Sequence, residues 1–174
     1  MHIIGILIAF ATLIFWLGRA ARGAEDIADA ANTIANIPRK RRFQKSVRRS
    51  GLNLVETPLE AATILMVATA RMSDTRRVTE AGQAQIMAQL RENMQLIEDD
   101  ADGMYRQMES LMHDVTLPEN ALLPMLKILQ SEINRDHAED LAVMMEAVAR
   151  ADGQMTDEQK EFIRRFRERM NLLG

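Results

Sequence analysis

The fold is decided by two similar stretches, ARMSDTRRVTE at residues 70–80 and ARADGQMTDE at residues 149–158. In each stretch an Ala-Arg pair ends a nearly uncharged segment. A polar turn follows, and then a hydrophobic residue, a threonine and an acidic residue begin the next segment. The apolar residues beyond the two turns repeat at a constant offset of 76, so that Ile86, Met87, Leu90 and Met94 match Phe162, Ile163, Phe166 and Met170. This spacing predicts a helix-turn-helix pair that is present twice.

Between these landmarks the sequence predicts six helices and no strand, because apolar residues recur at helical and never at alternating spacing. The first start signal is Thr57-Pro58-Leu59-Glu60, which combines an N-cap threonine, a proline at N1 and a glutamate that closes a capping box. The remaining helices are predicted to begin at Thr79, at the acidic residues 98–100, at Thr116, at Asp136 with Glu139, and at Thr156. The six helices, taken in chain order, are predicted to end near residues 72, 96, 113, 131, 151 and 172.

The first eighteen residues are predicted to form a retained transmembrane anchor. Ile3–Leu17 is an unbroken apolar run, and eighteen helical residues span about 27 Å, enough for a bilayer core. Arg19 and Arg22 follow the run and no basic residue precedes it, unlike in a cleaved signal peptide. A cleaved signal peptide and a peripheral helix are the alternatives. The positive-inside rule places the N-terminus outside and the rest in the cytoplasm, at the inner membrane.

Residues 19–55 are predicted to be a juxtamembrane helix followed by a basic linker. Ile27, Ala30, Ile34 and Ile37 repeat at helical spacing before Pro38, which favours weak homo-oligomerisation or packing on the domain about equally. The basic cluster consists of Arg39, Lys40, Arg41, Arg42, Lys45, Arg48 and Arg49. It is interpreted as a solvated linker or as a contact with anionic lipid. No nucleic-acid partner is expected, because proteins that bind single strands combine basic with aromatic side chains, and Phe43 is the only aromatic residue in this cluster.

The composition excludes several kinds of chemistry. The chain has no cysteine, which removes disulfides, thiolate zinc sites and cysteine nucleophiles, and it has only three histidines. No nucleophile-base pair or glycine-rich phosphate loop is visible, so we expect no enzyme activity. Residues 56–174 carry 13 basic against 22 acidic side chains, whereas residues 19–55 carry nine against three. The protein is therefore predicted to be polarised, with a basic neck and an acidic domain.

Two acidic segments are candidate sites for a divalent cation. In residues 98–109 the spacing of Glu98, Asp100, Asp102, Gly103 and Glu109 approaches that of a twelve-residue calcium loop. The same acids would also suit a helix N-terminus. The second candidate consists of Asp152, Asp157 and Glu158, three carboxylates around one turn, with ordinary turn and capping chemistry as its alternative.

The stretch ARADGQMTDEQKEF at residues 149–162, with the amphipathic segment behind it, resembles the tellurite-resistance TerB-like family. The resemblance covers residues 57–174 and implies an all-helical, internally duplicated fold. It also implies a role in stress responses at the inner membrane and metal binding by acidic turn residues, here Asp152 and Glu158. The chain departs from the family in its first turn, which lacks the Asp-Gly pair and adds the two positive charges of Arg76 and Arg77, and at Gln159, where an acidic residue is common.

The whole sequence therefore predicts a TerB-like, all-α, internally duplicated bundle at residues 56–174, preceded by a single transmembrane helix at residues 1–18. The predicted function is that of a membrane-tethered cytoplasmic interaction or scaffold module in envelope or tellurite-type metal stress, with an unidentified protein partner. The alternative is a divalent-cation sensor that uses the acidic turn residues.

Overall fold

A computed structural model describes residues 51–173, and this part of the chain is all-α as predicted. Its six helices are α1 Pro58–Arg71, α2 Glu80–Ala88, α3 Glu98–His113, α4 Leu122–Glu132, α5 Arg135–Ala149 and α6 Asp157–Arg169. Short 3-10 turns at Gly51–Leu54 and Pro118–Ala121 precede α1 and α4, and a π-helical turn at Gln89–Asn93 follows α2. Within residues 51–173 no helix is long and apolar enough to cross a membrane. The predicted anchor, the helix at 19–37 and the basic cluster lie outside the described residues.

Helix α1 lies at the centre of the domain. Its residues 61–70 are all buried, and it packs mainly against α3, α4 and α5. The predicted capping box is confirmed: Thr57 Oγ1 accepts a hydrogen bond from the Glu60 amide at 3.2 Å, and Glu60 Oε2 accepts one from the Thr57 amide at 3.0 Å. Thr69 can be buried in this helix because its hydroxyl donates to the Leu65 carbonyl at 2.8 Å. The buried hydroxyl of Thr69 therefore has a hydrogen-bond partner in the core.

Arg71 joins the end of α1 to the end of α3. Its guanidinium donates to the carbonyl of Met112 and, at 3.1 Å, to the carbonyl of Val115. The last carbonyls of a helix have no partner within the helix and favour a nearby cation. The arginine that ends the apolar run of α1 thus caps a different helix.

At residues 98–109 the predicted helix start is confirmed, and the alternative interpretation as a calcium loop is wrong. Glu98–His113 is one continuous α-helix, and Gly103 lies inside it rather than in a sharp turn. Glu98, Asp99 and Asp100 occupy its first turn, where acidic side chains complement the positive end of the helix dipole. These residues form a helix because their apolar side chains lie on one face, which is buried against α1. The spacing of oxygen ligands along the segment does not prevent this.

Three predicted helix boundaries also differ. Helix α2 gives way to the π-helical turn and ends before residue 96, because Gln95 adopts a left-handed conformation with φ 54°. Thr116 caps no helix, since the 3-10 turn comes first, and Pro124 sits in the first turn of α4, where its missing N–H is not needed. Helix α5 begins at Arg135, one residue before Asp136, because Asn134 is its N-cap: Asn134 Oδ1 accepts from the His137 amide at 2.9 Å.

Glu146 is the one charge in the apolar run of α5, and α6 supplies its partner. Arg167 donates to Glu146 at 2.6 Å and to Glu139 at 2.9 Å. The side chains of Arg167 and Glu146 are 23% and 21% exposed, so this pair is less screened by solvent than the others on α6. It holds α5 and α6 side by side in the second repeat.

We expect Arg167→Ala to lower the free energy of unfolding by about 1–2 kcal/mol, because it removes the closer of the two cations that pair with the half-buried Glu146 and leaves only Arg150, at 3.3 Å. Arg165→Ala is the matched control, since Arg165 lies on the same helix in an exposed pair with Glu161. It should cost much less. Urea unfolding followed by circular dichroism measures both, and equal losses in the two variants would contradict the role given to Arg167.

Candidate functional site

The two turns that resemble each other in sequence also meet in space. Residues 72–79, between α1 and α2, lie against residues 152–159, which end the loop after α5 and begin α6, and side-chain hydrogen bonds join the two segments. We call these two segments the inter-repeat seam. It contains all three carboxylates that the sequence singled out for a cation.

Two threonines join the seam reciprocally. The Thr79 hydroxyl accepts from the Gly82 amide at 3.0 Å, capping α2, and donates to the Asp152 carboxylate at 2.7 Å. The Thr156 hydroxyl accepts from the Gln159 amide at 3.2 Å, capping α6, and donates to the Met72 carbonyl at 3.0 Å. Each threonine thus starts a helix in its own repeat and bonds to the turn of the other.

Gln159 is the buried polar residue of the seam. Its Oε1 accepts from the Thr156 amide at 2.9 Å, which completes the predicted capping box, and its Nε2 donates to the Thr69 carbonyl of α1 at 3.1 Å. The neutral amide accepts at its oxygen and donates at its nitrogen, whereas an ionised carboxylate in the same place could only accept. The sequence showed the local half of this arrangement, whereas the bond to Thr69, ninety positions away, had no sequence signal.

Arg76 pairs with Glu158 across the exposed side of the seam. The two guanidinium nitrogens lie 2.5 and 2.6 Å from the two carboxylate oxygens. Arg76 adopts a left-handed backbone conformation with φ 56°, which is uncommon for a residue other than glycine. The hydrogen bond and the charge of Glu158 raise the pKa of Arg76. The cation nearest to Glu158 is therefore part of the chain itself.

The structure brings the three predicted ligands into one turn but gives each a different partner. Asp152 accepts from Thr79, Glu158 is paired with Arg76, and Asp157 binds Lys160 at 2.9 Å. Lys160 lowers the pKa of Asp157, whose side chain is 99% exposed. Within residues 51–173 no three histidine or carboxylate side chains are placed to hold one metal ion. Cation binding here would require these side chains to rearrange.

A cation at this turn must compete with Arg76 for Glu158, so we expect Arg76→Gln to bind calcium or magnesium more tightly than the unmodified chain does. Arg77→Gln is the matched control. It removes the same charge from the neighbouring exposed position, which has no ion pair in the described structure. Saturable increases in melting temperature with added metal measure the affinity. Equal responses of the two variants would contradict a site at Glu158, and no response in either would remove the cation prediction.

Comparison with known proteins agrees with the duplicated helical architecture. The family model described as tellurite resistance protein TerB matches residues 59–173, which is most of the chain and includes all six helices and both halves of the inter-repeat seam. No curated protein and no solved structure gives a significant match. The chain therefore belongs to the TerB family.

Proposed function

We propose that this chain is a membrane-tethered TerB-family protein that presents its helical domain in the cytoplasm as a non-catalytic interaction or scaffold module. The setting is a response to envelope or tellurite-type metal stress at the inner membrane. The family and the all-helical domain support the general class. The tether, the orientation and the partner are the parts that this proposal adds.

The observation that carries the interaction role is a pair of exposed leucines. Leu117 and Leu123 are 51% and 63% exposed and lie on either side of the 3-10 turn Pro118–Ala121. Between them Pro118, Ala121 and Leu122 are buried in the core. A rigidly anchored turn therefore holds two large apolar side chains in solvent, and exposed apolar side chains on a charged surface are typical of protein contact sites.

The surroundings of this turn favour a fixed surface over a mobile one. The 3-10 turn packs against α1, the central helix, and Arg71 ties Val115, three residues before the turn, to the end of α1. A partner that binds there would meet side chains already held in position. Binding to such a surface loses less conformational entropy than binding to a flexible loop, because the side chains are already ordered.

The tether is supported by the apolar run Ile3–Leu17 and the arginines that follow it. We expect the full chain to stay in the membrane fraction after alkaline carbonate extraction, because a spanning helix is not displaced by removal of peripheral proteins. A chain that begins at residue 19 should become extractable. Release of the full chain by carbonate would contradict the tether.

We expect the double variant Leu117→Ser, Leu123→Ser to lose most of its crosslinks to a specific partner in native membranes, while its melting temperature stays within a few degrees of the original. The two side chains are exposed, so their loss removes contact area without opening a cavity. Val143→Ser is the control, because Val143 is 54% exposed but belongs to a different element, helix α5. Unchanged crosslinks in the double variant, or equal loss in the control, would contradict this surface.

A further inference from the structure

The sulfur chemistry of this chain rests entirely on methionine. The sequence has 13 methionines and no cysteine, and the thioether is a common target of oxidants, which convert it to a sulfoxide. Of the twelve methionines within residues 51–173, seven are buried in the core. The partly exposed ones, which pack against the core from its edge, are Met87, Met94, Met144, Met155 and Met170. Oxidation of the folded domain is therefore expected at these positions first.

Met155 is the one partly exposed methionine that lies in the inter-repeat seam. Its side chain packs against the hydrophobic core and is partly open to solvent. Three residues before it, Asp152 accepts a hydrogen bond from the Thr79 hydroxyl at 2.7 Å. Directly after it, the Thr156 hydroxyl donates to the Met72 carbonyl at 3.0 Å. Met155 thus lies, along the chain, between the two threonine hydrogen bonds that join the repeats.

Met155 is also joined directly to the residue that caps α6. The amide of Thr156 donates to Gln159 Oε1 at 2.9 Å, and its hydroxyl accepts from the Gln159 amide at 3.2 Å. Gln159 in turn donates to the Thr69 carbonyl of the central helix at 3.1 Å. A movement of Met155 away from the core therefore acts on the buried hydrogen bonds of the seam as well as on the exposed ones.

We propose that Met155 is a site of oxidation by peroxide, at which formation of the sulfoxide loosens the inter-repeat seam. Hydrogen peroxide transfers one oxygen atom to the sulfur, so that the thioether loses two electrons and the peroxide is reduced to water. The sulfoxide is polar and requires hydrogen-bond donors that the apolar core does not offer. It therefore moves toward solvent, and residues 152–156 move with it. This goes beyond the proposed partner surface, because it concerns different residues and a chemical signal rather than a contact.

The test is treatment of the full chain in a neutral detergent with hydrogen peroxide, followed by peptide mass spectrometry and by thermal melting with circular dichroism. Met155 should be oxidised under conditions that leave the seven buried methionines intact. The melting temperature should fall by about 3–6 °C, the shift expected when a domain of this size loses one or two weak interactions. A Met155 that stays unoxidised, or an unchanged melting temperature after its oxidation, would overturn the proposal.

Two variants make the test specific to the seam. Met155→Leu supplies a side chain of similar volume that peroxide does not oxidise, so it should fold as the original does and lose most of the fall in melting temperature. Met170→Leu is the matched control, because Met170 is also partly exposed but follows α6, outside the seam. It should keep the fall. An undiminished fall in Met155→Leu would overturn the proposal.

Amide hydrogen exchange, measured before and after oxidation, shows whether the seam itself opens. The amides of Gly82 and Gln159, which donate to the two threonines of the seam, should exchange several-fold faster in the oxidised protein. The Glu60 amide, which donates to Thr57 at the start of α1, should exchange at nearly its original rate. Equal acceleration at all three amides would indicate general unfolding and would overturn the proposal.

Discussion

The rest of the structure depends on the burial of ten consecutive residues of one helix, α1. Residues 61–70 of α1 are inaccessible to solvent, which requires neighbours on every side, and α3, α4 and α5 provide most of them. Burial of a continuous apolar surface is the dominant favourable contribution in a domain of this size. A central helix also has polar backbone ends that must find partners. Arg71 and Gln159 are the side chains through which its last turn connects to α3 and α6.

The duplication explains how the two halves of the domain hold each other. A single helix pair would leave its apolar face and its turn in water, whereas two copies cover both. Each capping threonine serves its own helix and the opposite turn at the same time. The two copies are not chemically equivalent, since Thr79 binds a carboxylate and Thr156 a carbonyl, and Gly82 stands where Gln159 completes the second capping box. Divergence between the copies therefore placed charge on the exposed side of the seam and a neutral amide on its buried side.

The charged surface divides into paired and unpaired regions. Helix α6 exposes mostly charges that satisfy one another, and such a face is best described as solvated. The surface departs from this pattern beside the 3-10 turn, where Leu117 and Leu123 are exposed. Apolar side chains held in solvent go against the burial that the rest of the domain achieves, and such local conflicts mark the places where function is expected.

The sequence by itself determined the all-helical class, the duplication and the capping boxes at Thr57 and Thr156, because these depend on residues within one or two helical turns of each other. It predicted the helix start at residues 98–100 but did not exclude a calcium loop there, and it missed the cap at Asn134 because Asp136 gives a similar start signal. Only the tertiary structure decided which side chains face one another. Arg76 with Glu158, Glu146 with Arg167, and Gln159 with Thr69 are 82, 21 and 90 positions apart in the chain, and no local spacing encodes such a pairing.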